Sequence, residues 1–319
     1  MAERSIIDQL HDAVAALLAQ REPVVNEANR ELAELVTVAR ELRGLPSAEF
    51  RAALREQFGG KDNMSAAAKT FKRPGFHTVT PYLITKPAAE LADFVKEAFG
   101  AVESFRTSGP GGVHCEVRIG DSTVMIVGGP TLDPQFAAIH FYVPDVDEVY
   151  ARAVAAGATS LMEPSDQEYG ERLAAVTDVG GNEWYIAKPF DTTPIPDLHS
   201  VTLYFHPIGA PKFIDFLEKA FGAEVVERHQ SDTGFVYHAK MRLGDSIVEM
   251  GEAHEQWQPM QSAIYMYVED VDAAYRDALN AGATSVMQPT DQHYGDRSAA
   301  VRDEYGNTWH LATWQGQTL

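Results

Sequence analysis

From Phe76 onward the chain repeats itself, and this repeat constrains the fold more than any single residue does. FHTVTPYL at 76–83 returns as LHSVTLYF at 198–205, DFVKEAFGA at 93–101 as DFLEKAFGA at 215–223, and RIGDS at 118–122 as RLGDS at 242–246. The agreement continues through DVD (145–147 and 270–272), AGATS (156–160 and 281–285), DQEYGER against DQHYGDR (166–172 and 291–297), and GNEWYIA against GNTWHLA (181–187 and 306–312). The offset drifts only from 122 to 125 residues, so the copies differ by a few loop residues, and KPFDTTPIPD at 188–197 joins them. Within a copy the hydrophobic period switches in a fixed order. An alternating strand (76–83) precedes a helix (about 87–98) and three strands (about 101–107, 113–119 and 122–128). The order then returns as a strand at 138–143, a helix opening at Asp145, and strands near 159–162, 173–178 and 182–187. Each copy therefore holds two βαβββ modules and the chain holds four, an α+β architecture.

The first sixty residues read differently. Ile6, Leu10, Ala13, Val14 and Leu17, then Ala28, Leu32, Leu35, Ala39 and Leu42, fall at helical spacing, with Pro23 between the runs and Gly44-Leu45-Pro46-Ser47 ending the second. Residues 1–60 form an α-helical N-terminal region and 61–75 a linker, followed by domains at 76–190 and 197–314. The spacing from Ala28 to Leu42 allows a homodimer seam as well as a hairpin packed on its own chain. A length of 319 residues is enough for two real cores. A net charge of −20 opposes nucleic acid and anionic lipid, and no apolar run reaches the roughly 20 residues of a membrane span. The lone cysteine, Cys115, reads as a small buried hydrophobe. No secretory h-region or cleavage site opens the chain, so the expected location is cytoplasmic.

Paired βαβββ modules, the helix ending in AFGA, the DVD helix start after an aromatic strand, and the D-x-x-GN-x-W terminal strand resemble the vicinal oxygen chelate superfamily. It comprises glyoxalase I, bleomycin- and fosfomycin-resistance proteins and extradiol dioxygenases. DQHYGDR at 291–297 and EMGEAH at 249–254 are similar to its PhnB-like branch. The resemblance covers residues 76–314 and implies two tandem domains, each forming a cup in which a divalent metal is held from four strand positions. In the second copy those positions read His199, Glu249 and His310, with Ala263 at the fourth and Tyr265 two residues on. In the first copy they read His77, Met125, Ala138 with His140 two residues on, and Tyr185, which marks the first site as degenerate. One divalent ion per chain is implied, of iron, manganese, nickel, cobalt or zinc.

The residues support this unevenly. Two imidazoles and a carboxylate from separate strands are a donor set for a first-row ion with open positions. Glu249 between Val248 and Met250 is costly to bury without a cation or another partner. His199 shares an apolar face with Val201, Leu203 and Phe205, where a satisfied core histidine would do as well. Trp257 and Tyr265 offer stacking faces to a small-molecule substrate, and Tyr294 and Arg297 of the DQHYGDR loop could clamp an anionic group. The same loop recurs in the other copy, which favours a structural Arg–carboxylate pair. His114 and His238, matched between copies, read as structural.

Two functions stay open at this level, the first leading and the second its alternative. One is a metal-dependent isomerase, lyase or dioxygenase that uses the ion as a Lewis acid. The other is a metal-free binding protein that sequesters a planar or cationic toxin or antibiotic, for which the acidic charge is suited. The alternatives for module pairing differ in one ligand. Pairing within a copy, favoured by the short connection, groups His199 and Glu249 with His310; pairing of the second and third modules groups them with His140 and Tyr185.

Overall fold

The computed structural model describes residues 70–255 and 257–316. The expected N-terminal helices, and any dimer seam they form, lie outside the described residues. The four modules are all present. Module 1 is β1 (Val79–Ile84), α1 (Ala88–Phe99), β2 (Val102–Gly109), β3 (Gly112–Ile119) and β4 (Ser122–Gly128). Module 2 is β5 (Ala138–Tyr142), α2 (Val146–Ala155), β6 (Thr159–Gln167), β7 (Glu171–Thr177) and β8 (Glu183–Pro189). Module 3 is β9 (Val201–Phe205), α3 (Ala210–Phe221), β10 (Glu224–Gln230), β11 (Val236–Leu243) and β12 (Ser246–Met250). Module 4 is β13 (Ala263–Tyr267), α4 (Val271–Asn280), β14 (Thr284–Asp291), β15 (Asp296–Arg302) and β16 (Thr308–Trp314).

The repeated words of the sequence are local stop and start signals. α1 buries Leu91, Ala92, Val95, Ala98 and Phe99 along one face and ends at Gly100, whose φ of 69° is the left-handed cap that the G of AFGA supplies. The first aspartates of the two DVD words, Asp145 and Asp270, are N-caps whose side chains accept the Glu148 and Ala273 N–H groups. The aspartate of each D-x-x-GN-x-W run is a buried hub. Asp178 accepts from the Gly180 and Asn182 N–H groups, from Asn182 Nδ2 and from Trp184 Nε1 at 2.8 Å, and Asp303 repeats the arrangement with Asn307 and Trp309.

The strands form two eight-stranded sheets, and each draws on both copies. One runs β14-β15-β16-β13-β1-β4-β3-β2, the other β10-β11-β12-β9-β5-β8-β7-β6. Module 1 thus joins module 4 through antiparallel β1 and β13, with Thr80 opposite Tyr265, and module 2 joins module 3 through β5 and β9, with His140 opposite Thr202. Pairing within a copy, which the short connection favoured, is corrected. The two modules of one copy instead pack back to back through their helix layers. Phe99 of α1 lies 4.6 Å from Trp184 of β8 and 5.1 Å from Phe141 of β5, and Phe221 lies 4.7 Å from Trp309. A short connection serves this arrangement as well as the other, since it only has to carry the chain from one sheet to the next.

The main core fills the space between helices and sheets, while two small clusters of buried apolar residues lie on the opposite, concave faces. Among the described residues no helix is long and apolar enough to cross a membrane.

Candidate functional site

Each concave face is a cup. In the central cup, built from modules 2 and 3, the four innermost strands present His140 beside Tyr185 and Tyr204 beside Glu249, as register partners on β5/β8 and β9/β12. Alternation along the strands brings Tyr142, Glu183 and His206 to the same face. Ala138, Ala175 and Ala187 keep the floor shallow, and Tyr142, Tyr204, Trp257 and Met260 line its half-buried rim.

Glu249 is 0% exposed, and the chain's own donors fill its carboxylate. Tyr142 Oη donates to Oε1 at 2.7 Å, His238 Nε2 lies 2.9 Å from Oε2, and His140 Nδ1 lies 3.4 Å from Oε2. The other nitrogen of His140 lies 3.7 Å from Glu171 Oε1, so the imidazole stands between two carboxylates. Burial alone would lower its pKa, but Glu249 and Glu171 raise it to about 9, and His140 is an imidazolium at neutral pH. Burial would likewise raise Glu249; the His140 charge and the hydrogen bonds of His140 and His238 hold it well below the usual carboxylate range. His206 behaves in the opposite way, pushed down to about 4 by burial and by His254, and its neutral ring stacks on Trp257 at 5.8 Å. Trp257 also meets Tyr185 edge-on at 5.5 Å.

The terminal cup, built from modules 1 and 4, carries Tyr82 beside Met125 and Tyr265 beside His310 at the corresponding positions. His310 stands edge-on to Tyr82 at 5.0 Å, and burial pushes it down to about 4. Its Nε2 is sealed from solvent without a hydrogen-bond partner. Tyr265 and Tyr267 both donate to Asp296 Oδ2, at 2.6 and 3.3 Å. Tyr294 approaches Ser298 and Tyr265 from the loop. The segment expected to be linker packs here from Thr70 on. Trp314 N–H donates to the Phe71 carbonyl, Phe71 joins the cup's apolar cluster, and Arg73 pairs with Glu116.

The expected ligand set is therefore dispersed. Glu249 lies in the central cup, His310 in the terminal cup, and His199, just ahead of β9, is in neither. Its Nδ1 lies 2.9 Å from Asp121 Oδ2 and its Nε2 2.7 Å from the Asp245 carbonyl. The structure brings Glu249 together with His140, the ligand of the alternative pairing, and with Trp257. Tyr265 and Tyr294 meet in the other cup. Arg297 enters neither cup; its guanidinium grips Asp272 with two bonds of 2.6 and 2.9 Å and reaches Asp291 at 3.1 Å, as Arg172 does with Asp147 and Asp166. Sequence reasoning missed Tyr142, Tyr204, His206 and the part His238 plays at Glu249. Strand alternation from His140 leads to Tyr142, whereas Tyr204 and His206 follow only from the register of β9 against β12.

The resemblance implies a divalent ion in the cups, and the residues present do not fit one. At the four innermost-strand positions, with Tyr204 of β9 standing where His199 was expected, the central cup offers one imidazole, one carboxylate and two phenols. Burial raises the pKa of both Tyr204 and Tyr185, reinforced by Glu249 and Glu183 respectively, so they remain phenols rather than ligating phenolates. Both oxygens of Glu249 are engaged by Tyr142, His238 and His140. The terminal cup offers Tyr82, Met125, Tyr265 and His310, with no carboxylate among them.

Comparison with known proteins gives the same architecture. A family model described as Glyoxalase/Bleomycin resistance protein/Dioxygenase superfamily matches twice, at residues 75–186 and 209–311. An uncharacterized protein of Mycobacterium bovis is 36% identical over 125 residues, 35% of this chain and 82% of that protein. Glyoxalase I from Zea mays superposes with a TM-score of 0.58 at 14% identity, covering 74% of this chain and 92% of its own. A candidate dioxygenase from Bacillus subtilis superposes with a TM-score of 0.51 at 16% identity, covering 79% and 87%. At these identities the two structures share the fold with this chain.

Proposed function

This chain belongs to the glyoxalase/bleomycin resistance protein/dioxygenase superfamily, and from that premise we propose that its central cup binds a small planar organic cation without a metal ion. One observation carries the reading: the cup sets three carboxylates, Glu171, Glu183 and Glu249, against the imidazolium of His140 inside an aromatic wall. Lys240, beside Glu249 in register, pairs with Glu227 at 3.0 Å rather than with these carboxylates. Tyr185, Tyr204 and Trp257 supply faces on which a flat cation gains both stacking and quadrupole attraction, about 0.5–2 kcal/mol per face. The net charge of −20 adds long-range attraction. A metal-dependent isomerase, lyase or dioxygenase would need more imidazole and carboxylate donors than the four innermost-strand positions of either cup present.

Titration with proflavine, a planar aromatic cation, tests this, with anilinonaphthalene sulfonate as the anionic control and tryptophan fluorescence as the signal. Saturable proflavine binding that survives a chelator, falls about tenfold in Glu249→Gln or Trp257→Phe, and has no anionic counterpart is the expected result. Equal binding of the sulfonate, or proflavine binding indifferent to both substitutions, would overturn the reading.

A further inference from the structure

Ahead of β1, residues 71–76 (FKRPGF) form a strap on the terminal cup. It is pinned at three points. Trp314 N–H donates to the Phe71 carbonyl at 2.8 Å, Thr123 Oγ1 donates to the Gly75 carbonyl at 2.8 Å, and Lys72 pairs with Asp245. Between the pins the chain turns, with the Phe76 N–H donating to the Arg73 carbonyl at 3.1 Å. Phe71 and Phe76 join the cup's apolar cluster with Met125, Tyr265 and Tyr267, and Phe76 meets Tyr267 edge-on at 5.8 Å. The Arg73 guanidinium lies 4.7 Å over the Phe76 ring and binds both oxygens of the buried Glu116.

The other copy keeps the turn and changes the side chains. At an offset of 122, FKRPGF becomes TPIPDL at 193–198, and Asp197 keeps the positive φ of Gly75, 66° against 89°. Phe71, Arg73 and Phe76 are replaced by Thr193, Ile195 and Leu198. That segment therefore brings neither a cation nor an aromatic ring to the central cup, whose cation, His140, stands on β5. The matching position of β13 in the terminal cup is Tyr265, which carries no charge to offset Glu116. The strap supplies it instead.

What the strap supplies has the chemistry of a ligand. A guanidinium held by two parallel bonds to a carboxylate and faced by an aromatic ring is also how a site would hold a free cation of that kind. Polar atoms remain for such a molecule. Asp296, 4% exposed, accepts the Tyr265 and Tyr267 hydroxyls on Oδ2, while its buried Oδ1 has no hydrogen-bond partner, and neither has His310 Nε2. Tethered Arg73 satisfies Glu116 but bonds to neither of them.

We infer that the terminal cup is a second binding site, for a small arylguanidinium or arylamidinium cation, and that the strap closes it in cis, with Arg73 standing on Glu116 where the ligand's cation would stand. A ligand has to displace a tethered arginine whose effective concentration is of order millimolar, so the intact chain binds it weakly and lifting the strap opens the site.

The test is calorimetric titration of the full chain with phenylguanidinium chloride, with phenylurea as the neutral control of the same shape. Arg73→Ala is expected to bind one equivalent more than the wild type in the concentration range used, at least about tenfold more tightly than the intact strap allows, and to lose that gain when Glu116→Gln is added. Phe71→Ala, which loosens the strap and leaves the Arg73–Glu116 pair in place, is expected to show a smaller gain of a few-fold, and it decides the matter should the Arg73 variant fail to fold. No gain in either variant, a gain that survives Glu116→Gln, or equal binding of phenylurea would overturn the inference. The added equivalent is expected with Glu249→Gln as well as with Glu249, so failure of the cation reading of the central cup would leave it in place.

Discussion

The Arg73 guanidinium meets the Glu116 carboxylate with two hydrogen bonds, of 2.8 and 2.5 Å, on the concave side of the terminal cup. Glu116 is 2% exposed and lies opposite Met125, the residue that aligns with Glu249 of the other cup. His114 stands 3.4 Å from it, much as His238 stands by Glu249. Both cups thus keep a buried anion with a histidine and a cation, but the terminal cup draws its cation from the segment ahead of β1. Arg73→Ala leaves that carboxylate buried and unpaired and is expected to destabilise the protein by about 2–3 kcal/mol in urea unfolding. Arg73→Lys recovers only part of this, because an ammonium cannot make the two parallel bonds. A loss below about 0.5 kcal/mol in the alanine variant would show that the pair contributes nothing net.

The His140–Glu249 pair sets a pH window. The folded pKa of His140, about 9, lies above its ordinary 6.5, so its contribution is complete below about pH 6.5 and is lost as pH rises through 9. Glu249 is held below its ordinary 4.5, so its contribution is present above that value and is lost as pH falls further. Unfolding free energy is therefore expected to fall between pH 6.5 and 9 by something of order 3 kcal/mol in the wild type, and His140→Gln should flatten this decline. Nuclear magnetic resonance of the His140 ring supplies the direct check; a midpoint near 6.5 would contradict the bracketing carboxylates.

Much of this fold could be read from the chain because the repeated words are physical signals. Gly100 stops a helix, Asp145 and Asp270 start them, and the Asp178 and Asp303 hubs close the turns before β8 and β16. These act within a few residues of themselves. The joining of modules depends on which apolar faces meet over more than a hundred residues, and a short connection is compatible with either answer. That is why His310 and Glu249 were grouped although they occupy different cups. His199 was misplaced for a related reason. It precedes the strand rather than lying in it, where alternation no longer says which way a side chain points. Glu249, by contrast, was legible, because a carboxylate inside SIVEM has to be neutralised wherever the strand goes.

Asp178 gathers four donors in a buried site, so no single neighbour can replace it. Asp178→Ala strands the Trp184 indole N–H and the turn amides and is expected to cost at least about 3 kcal/mol, with Asp303→Ala comparable. Trp184→Phe should cost less, since it removes one donor and keeps most of the apolar volume. Equal losses in the two variants would shift the credit from the hydrogen-bond hub to ring packing.

Arg297 and Arg172 tie their loops to the first turns of α4 and α2, on the outside of the sheets. Arg297→Ala is expected to leave proflavine affinity of the central cup unchanged while increasing proteolytic nicking of the 291–297 loop. A loss of ligand affinity without a change in nicking would return the arginine to the role of a substrate clamp.

The partition of modules into cups can be measured without a ligand. His140 and Glu249 come from different copies yet stand 3.4 Å apart, whereas His310 and Glu249 come from the same copy and occupy different cups. In a double-mutant cycle, residues in one charged network couple by about 1–3 kcal/mol, while separated residues add within about 0.5 kcal/mol. His140→Gln combined with Glu249→Gln should therefore cost less than the two single changes together, because each single change leaves the other partner buried without its charge. His310→Ala with Glu249→Gln should be additive. Glutamine at both positions of the first cycle keeps size and hydrogen-bonding capacity, so the coupling reports charge rather than a cavity. Coupling of Glu249 to His310 with none to His140 would mean that the copies close on themselves.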